Sequence, residues 1–247
     1  MTTAPSFARL TGLGVRVATI DSGVNPAHPH VSGVAGGVGI RANGETDDFL
    51  DYLGHGTAVA AAVREKAREA DLYAVKVFDR ALNTNIDRIV RAIEWCLARR
   101  IDIINLSLGT TNPAHRKRFE SILARADELG VVLVAARESL PGCLAGVIGV
   151  GLDWQCPRDS YHCAWSGALP TFLASGHPRS IPGVAPERNL HGISFAVANM
   201  TGFAARARQG CANGGLAAVQ QILLEHAREP DCLPYGISAT SGPKTSA

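Results

Sequence analysis

Three side chains in this 247-residue chain have the types and local settings that nucleophilic catalysis requires. Ser194 opens the stretch Gly192-Ile193-Ser194-Phe195-Ala196-Val197-Ala198-Asn199-Met200-Thr201-Gly202-Phe203-Ala204, in which a glycine turn runs into a small, apolar helix pattern. A serine at a helix start faces free backbone N–H groups and the positive end of the helix dipole, a setting that favours a nearby anion. Taken alone, Ser194 reads as an ordinary helix cap. His55 lies in Gly54-His55-Gly56-Thr57, at the head of an alanine-rich helix pattern, and Asp21 follows the apolar run Val15-Arg16-Val17-Ala18-Thr19-Ile20. A serine oxygen, an imidazole to take its proton and a carboxylate to hold the imidazole together make an acyl-transfer triad. The chain order Asp, His, Ser is one of the orders in which such triads occur.

The elements that must position these residues follow from periodicity. Val15–Ile20, Leu72–Val77, Ile101–Leu106, Val131–Ala135 and Val147–Val150 are short, continuous apolar runs, and Thr171–Ala174 is a sixth candidate strand. Between them stand helical patterns. One has Ile86, Ile89, Val90, Ile93 and Leu97 on one face, capped by Asn83-Thr84-Asn85; another has Phe119, Ile122, Leu123, Ala126 and Leu129, stopped by Gly130. Residues 25–53 are rich in Gly, Pro, Asn and Asp and read as loop. Alternating apolar strands and helices predict an α/β fold, a central, mostly parallel sheet covered on both faces. Chemistry in such sheets gathers beyond the carboxyl ends of the strands, where Asp21, Ser107 and the segment after Ala135 fall. One domain over residues 1–233 is expected, with residues 234–247 a polar, loose tail.

Composition excludes several classes. A net charge of +2 gives no reason to expect nucleic acid, and the basic cluster Arg116-Lys117-Arg118 lies on a helix pattern without interleaved aromatics. No apolar run reaches the length of a membrane span. Met1 to Gly14 lack the charged-then-apolar layout of a secretory signal, so a chain native from Met1 is expected in the cytoplasm with its six cysteines reduced. Cys143, Cys156, His162 and Cys163 fit no standard zinc spacing; they read as loop thiols or a Cys156–Cys163 bridge, and neither metal nor cofactor is expected.

Six motifs in order resemble the subtilisin-like serine peptidases, or subtilases, over roughly residues 15–210. Val17-Ala18-Thr19-Ile20-Asp21-Ser22-Gly23 resembles the aspartate motif, Gly54-His55-Gly56-Thr57-Ala58-Val59-Ala60 the histidine motif and Gly192-Ile193-Ser194-Phe195-Ala196 the serine motif. Leu72-Tyr73-Ala74-Val75-Lys76-Val77, Ile93-Glu94-Trp95 and Ile104-Asn105-Leu106-Ser107-Leu108-Gly109 fall between them in family order. The resemblance implies a three-layer subtilisin-like fold and a serine endopeptidase with Asp21, His55 and Ser194 as triad. It further implies that Ser107, Leu108 and Gly109 pair with an extended substrate and wall the pocket for the residue before the cut. Asn83-Thr84-Asn85-Ile86 would lie at the opposite wall.

The departures from the family pattern define the alternatives. After Val131-Val132-Leu133-Val134-Ala135-Ala136 the family carries an asparagine whose amide donates to the oxyanion; the ungapped position here is Ser139, and a one-residue shift gives Glu138. Losing that donor costs about 3–4 kcal/mol in the family's prototype. Ile193 replaces the threonine usual before the serine, and Ala198 a proline. The loop that often helps bind calcium is absent, since residues 62–67 run straight through. The expected function is cleavage of a specific peptide or protein precursor through an acyl-enzyme, with a partner protein or the Cys143–Cys163 region adding specificity contacts. The alternatives are a pseudoprotease that binds peptides or a partner without cutting, and an acyl-transfer ligase or macrocyclase.

Overall fold

The structure is a computed structural model and describes residues 6–185, 188–211 and 214–228. The expected tail at 234–247 and the expected domain end at 233 lie outside the described residues. Among the described residues, fourteen principal elements follow one another. They are β1 (Arg16–Asp21), β2 (Gly36–Arg41), β3 (Gly44–Thr46), α1 (His55–Lys66), β4 (Asp71–Lys76), α2 (Ile86–Ala98) and β5 (Ile103–Leu106), then α3 (Arg116–Glu128), β6 (Val132–Ala136), β7 (Val147–Leu152), β8 (Tyr161–Ser166), β9 (Leu169–Ala174), α4 (Ile193–Gly210) and α5 (Leu216–Glu225).

One sheet runs β3-β2-β4-β1-β5-β6-β7-β9-β8. Its interior pairings, from β2–β4 through β7–β9, are parallel, and the edge strands β3 and β8 are antiparallel. Successive residues of a strand point to opposite faces. Val17, Leu72, Ile103, Val132, Val134 and Ile148 meet α1, α4 and α5, whereas Ala18, Ile20, Val75, Ile104, Leu133 and Val147 meet α2 and α3. Both faces are covered, so the strands are apolar without alternation, and the three-layer α/β expectation is borne out.

The serine helix is the central element. Every residue of α4 from Phe195 to Ala205 is buried, because the helix lies between α1, α5 and the sheet. Burying one of its large side chains contributes about 1.5–3 kcal/mol. It crosses α1 closely at Gly202, where a methyl group would stand 2.5 Å from Lys66 Cβ and 3.1 Å from the Val63 carbonyl. That close crossing holds the helix that begins at His55 against the helix that begins beside Ser194.

Two strand readings need correction. Residues 25–53 contain the β2–β3 hairpin, which adds an edge to the sheet. Three of the six residues of β2 are glycines, so the strand carries little of the β-branched pattern that marks strands. A Cβ on Gly37 would stand 2.5 Å from the Phe49 ring, which is why glycine is used there. The sixth strand begins at Leu169 rather than Thr171, and an unanticipated partner, β8, precedes it.

Candidate active site

Asp21 ends β1 and is completely buried. Its Oδ1 accepts the Ser22 N–H at 2.7 Å and meets His55 Nδ1 at 2.8 Å. A carboxylate oxygen only accepts, so Nδ1 carries the proton and Nε2 is left as a free acceptor. No described residue hydrogen-bonds Asp21 Oδ2.

His55 is the first residue of α1, and the glycines on either side of it explain how it reaches Asp21. Gly54 caps the helix with φ 81°, in the left-handed region that favours glycine. A Cβ on Gly56 would lie 2.1 Å from the Gly23 carbonyl oxygen, so only glycine lets the helix start approach the turn after β1 this closely.

Asp51 ties the same corner together. Its Oδ1 accepts from Ser22 Oγ and from the Leu53 and Gly54 N–H groups, all at 2.9 Å. Its Oδ2 accepts from the Thr57 N–H at 2.8 Å and Thr57 Oγ1 at 2.7 Å. Ser22 Oγ in turn accepts the Gly56 N–H at 2.9 Å. Burial pulls the His55 pKa down, but the hydrogen bond and charge of Asp21, joined by the charge of Asp51, outweigh it and hold the pKa above the ordinary histidine value. Sequence reasoning gave Asp51 no role. Its signal was an acidic residue four positions before His55, in a stretch read as loop.

Ser194 is the second residue of α4, and the cap position is Gly192, with φ 135°. Ser194 therefore does not serve as the helix cap. Its hydroxyl is half-buried and donates to the Ser107 carbonyl at 3.3 Å, while Ser107 Oγ donates to the Ser194 carbonyl at 3.3 Å. The chain continues into Phe195, whose ring centroid lies 5.6 Å from that of His55. The residue next to Ser194 thus borders His55, and no described hydrogen bond joins Ser194 to His55.

The segment after β5 is held from behind. The buried Asn105 donates from Nδ2 to Ser107 Oγ at 2.8 Å and accepts at Oδ1 from Thr201 Oγ1 of α4 at 2.9 Å. Asn105 was quoted in a motif but given no role; a fully buried amide inside an apolar strand is its signal. Asn85 caps α2 by accepting the Arg88 N–H at 2.9 Å.

Ser107, Leu108 and Gly109 extend beyond β5 and reach a bridge in which Thr110 and Leu140 exchange backbone hydrogen bonds of 3.0 and 2.9 Å. This bridge brings Ser139 against Gly109, where a Cβ would stand 2.3 Å from Ser139 Oγ. No described hydrogen bond is made by the Ser139 hydroxyl. Arg137 turns away onto the sheet, with Nε on Thr171 Oγ1 at 3.0 Å, Nη1 on the Gly142 carbonyl at 3.1 Å and Nη2 on the Pro170 carbonyl. Glu138 is exposed.

Cys96, Cys143, Cys156, Cys163 and Cys211 are free thiols, so the Cys156–Cys163 bridge does not form. His162 and Cys163 are consecutive residues of β8, whose side chains point to opposite faces. The group of four weighed from the sequence is therefore split. Among the described residues no helix is long and apolar enough to cross a membrane.

Comparison with known proteins agrees with this architecture. The model of the subtilase family matches residues 12–137, half of the chain. The minor extracellular protease Epr of Bacillus subtilis is 39% identical over 138 residues, covering 52% of this chain and 20% of that protein. Subtilisin E of Bacillus subtilis is 30% identical over 207 residues, covering 78% of this chain and 53% of its own length. The subtilisin of Bacillus pumilus is 30% identical over 207 residues, covering 78% of this chain and 74% of its own. The chain thus spans between a fifth and three-quarters of the length of these relatives. The crystal structure of a cold-adapted subtilisin-like serine proteinase superposes with a TM-score of 0.69 at 20% identity, over 88% of this chain and 83% of that one, which is a likeness of fold. This chain belongs to the subtilase family.

Proposed function

We propose that the chain is a serine endopeptidase that cleaves a particular peptide or protein through an acyl-enzyme, with Ser194 as nucleophile, His55 as base and Asp21 as the group that orients the imidazole. The observation that carries this reading is the 2.8 Å contact between His55 Nδ1 and the buried Asp21, made beside the tip of α4. It leaves Nε2 as the acceptor toward Ser194. In this reading the Ser194 side chain turns from the Ser107 carbonyl to present its hydroxyl to Nε2. The imidazole takes the hydroxyl proton as Oγ bonds to the substrate carbonyl carbon. The Ser194 N–H donates to the developing oxyanion, and the Ser139 hydroxyl, turned from Gly109, is the second donor. Asp21 stabilises the imidazolium, which then protonates the leaving amine. Water enters by the same route in reverse and frees Ser194.

Substrate pairs in this reading with the Ser107–Gly109 edge. The Thr110–Leu140 bridge and the contact of Ser139 with Gly109 narrow the space beside that edge. A restricted edge of this kind suits a processing enzyme with narrow specificity. The five described cysteines, all free thiols, suit a reducing compartment such as the cytoplasm.

One observation favours a second reading. In the ungapped reading Ser139 takes the place of the family's longer amide donor, and its hydroxyl lies against Gly109; a weak oxyanion site suits a pseudoprotease that holds peptides along the same edge. A fluorophosphonate probe separates the two. Wild-type protein is expected to be labelled at Ser194, with labelling lost in Ser194→Ala and strongly slowed in His55→Ala. Wild-type protein that never labels refutes the peptidase reading and leaves the binding role.

A further inference from the structure

We propose that Asp153, Cys156 and His162 form a binding site for a divalent transition metal of the zinc class, at the turn that joins β7 to β8. One ligand atom from each residue converges, all within 4.8 Å of one another. His162 Nε2 lies 3.9 Å from Asp153 Oδ2. Metal–sulfur bonds of about 2.3 Å and metal–nitrogen bonds of about 2.0 Å place neighbouring tetrahedral ligand atoms about 3.3–3.8 Å apart, so small side-chain movements close the set.

Two of the ligands are already aimed, whereas the Cys156 thiol donates to the Ser160 carbonyl at 3.4 Å and gives up that contact when its sulfur binds the ion. His162 Nδ1 donates to the Arg228 carbonyl at 3.3 Å, which fixes the tautomer that turns the Nε2 lone pair toward the cluster. Asp153 Oδ1 is engaged by the Gln155 N–H at 2.9 Å, leaving Oδ2 as the atom that faces His162. Cys156 is buried, and the imidazole of His162 is only 12% exposed. The Asp153 N–H is fixed on the Ala174 carbonyl at 3.0 Å, so the turn is anchored to β9.

Charge and donor type select the ion. As the sulfur–metal bond forms, the Cys156 thiol releases its proton to solvent, and one thiolate with one carboxylate then neutralises a dication. A thiolate and an imidazole favour zinc or cobalt over calcium or magnesium. Three protein ligands leave the fourth position to water.

The site also bears on the serine loop. Trp154, next to Asp153, meets His177 and His191 edge-on at centroid distances of 5.4 and 5.9 Å. It also packs on Gly176, whose carbonyl accepts the Gly192 N–H at 2.9 Å, two residues before Ser194. A bound ion pins the turn on which that segment rests.

The test is titration of the purified, chelator-treated full chain with cobalt(II), followed by absorption, then displacement with zinc. One equivalent is expected to bind with a thiolate-to-cobalt charge-transfer band that zinc removes. Cys156→Ser and His162→Gln are each expected to weaken binding at least about ten- to a hundred-fold. Cys143→Ser and Cys163→Ser should leave it unchanged. Should Cys156→Ser fail to fold, His162→Gln and Asp153→Asn carry the test. No thiolate band, or wild-type affinity in His162→Gln, overturns the proposal. The readout does not involve Ser194, so it stands or falls independently of the peptidase reading.

Discussion

Gly56→Ala is the sharpest perturbation of the proposed triad, because it changes one methyl group on a residue that takes no part in the chemistry. The new Cβ would lie 2.1 Å from the Gly23 carbonyl oxygen and 3.2 Å from Asp21 Cβ. The first contact is with backbone, so α1 must retreat from the turn after β1 by about 1 Å to reach tolerable packing. That displacement stretches the 2.8 Å His55–Asp21 hydrogen bond and the 2.9 Å bond from the Gly56 N–H to Ser22 Oγ beyond useful length. Alanine gains about 1 kcal/mol of helix propensity over glycine. Overpacking costs about 1–3 kcal/mol and each of the two lost hydrogen bonds about 0.5–1.5 kcal/mol, leaving a net destabilisation of roughly 1–5 kcal/mol. The kinetic effect is larger, since a 1 Å misplacement of reacting groups costs about a hundred-fold. The assay is the second-order rate of fluorophosphonate labelling at Ser194, with thermal unfolding measured beside it. Val63→Ala, in the buried far half of the same helix, is the control: it loses comparable stability and should label at the wild-type rate. Gly56→Ala that labels as fast as wild type refutes the idea that this close approach sets the triad.

Other variants probe the remaining supports. The raised His55 pKa means that the protonated imidazole adds stability below the unfolded histidine value, and this increment fades as pH rises through the folded value. Activity runs the opposite way, so the acidic limb of the kcat/KM profile should lie above the ordinary histidine value, and Asp51→Asn should shift it to lower pH; an unmoved limb removes Asp51 from the electrostatics of the site. Gly192→Ala forces a side chain onto φ 135° and ψ −175° and should cost about 1–3 kcal/mol in thermal unfolding; wild-type stability would show that the loop relaxes freely. Ser139→Ala should lower turnover of a cognate substrate less than about ten-fold, and a loss of a hundred-fold or more would make its hydroxyl a full oxyanion donor.

What was legible in the sequence was what burial dictates. The strands β1, β4, β5, β6 and β7 carry side chains into both core layers, so they had to be apolar throughout. The serine helix is buried on all sides and had to be apolar all round. The glycines beside His55 and Ser194 stood out because turns and close approaches admit little else. The β2–β3 hairpin was hidden, because its glycines are chosen for contact with Phe49 and Asp48 rather than for strand propensity. Asp51 and Asn105 were hidden for another reason. Their value lies in hydrogen bonds to residues that the fold alone brings near, and no spacing rule encodes such partners.

The same distinction bears on the two sides of the candidate site. The family match stops at residue 137, after the aspartate and histidine motifs and the Ser107–Gly109 segment. Beyond that match lie Arg137 folded onto β7 and β9, Ser139 against Gly109, and the Asp153, Cys156 and His162 cluster behind Trp154. All of them lie between β6 and the tip of α4. That span borders Ser194 from one side, through Gly109 and Ser107, and from the other, through Gly176 and Gly192. The imidazole–carboxylate pair is fixed by elements before residue 137, so divergence beyond it reshapes the space around the nucleophile without disturbing the base. Changes in substrate choice are therefore expected to map to residues 137–191, and changes in basicity to residues 21–57.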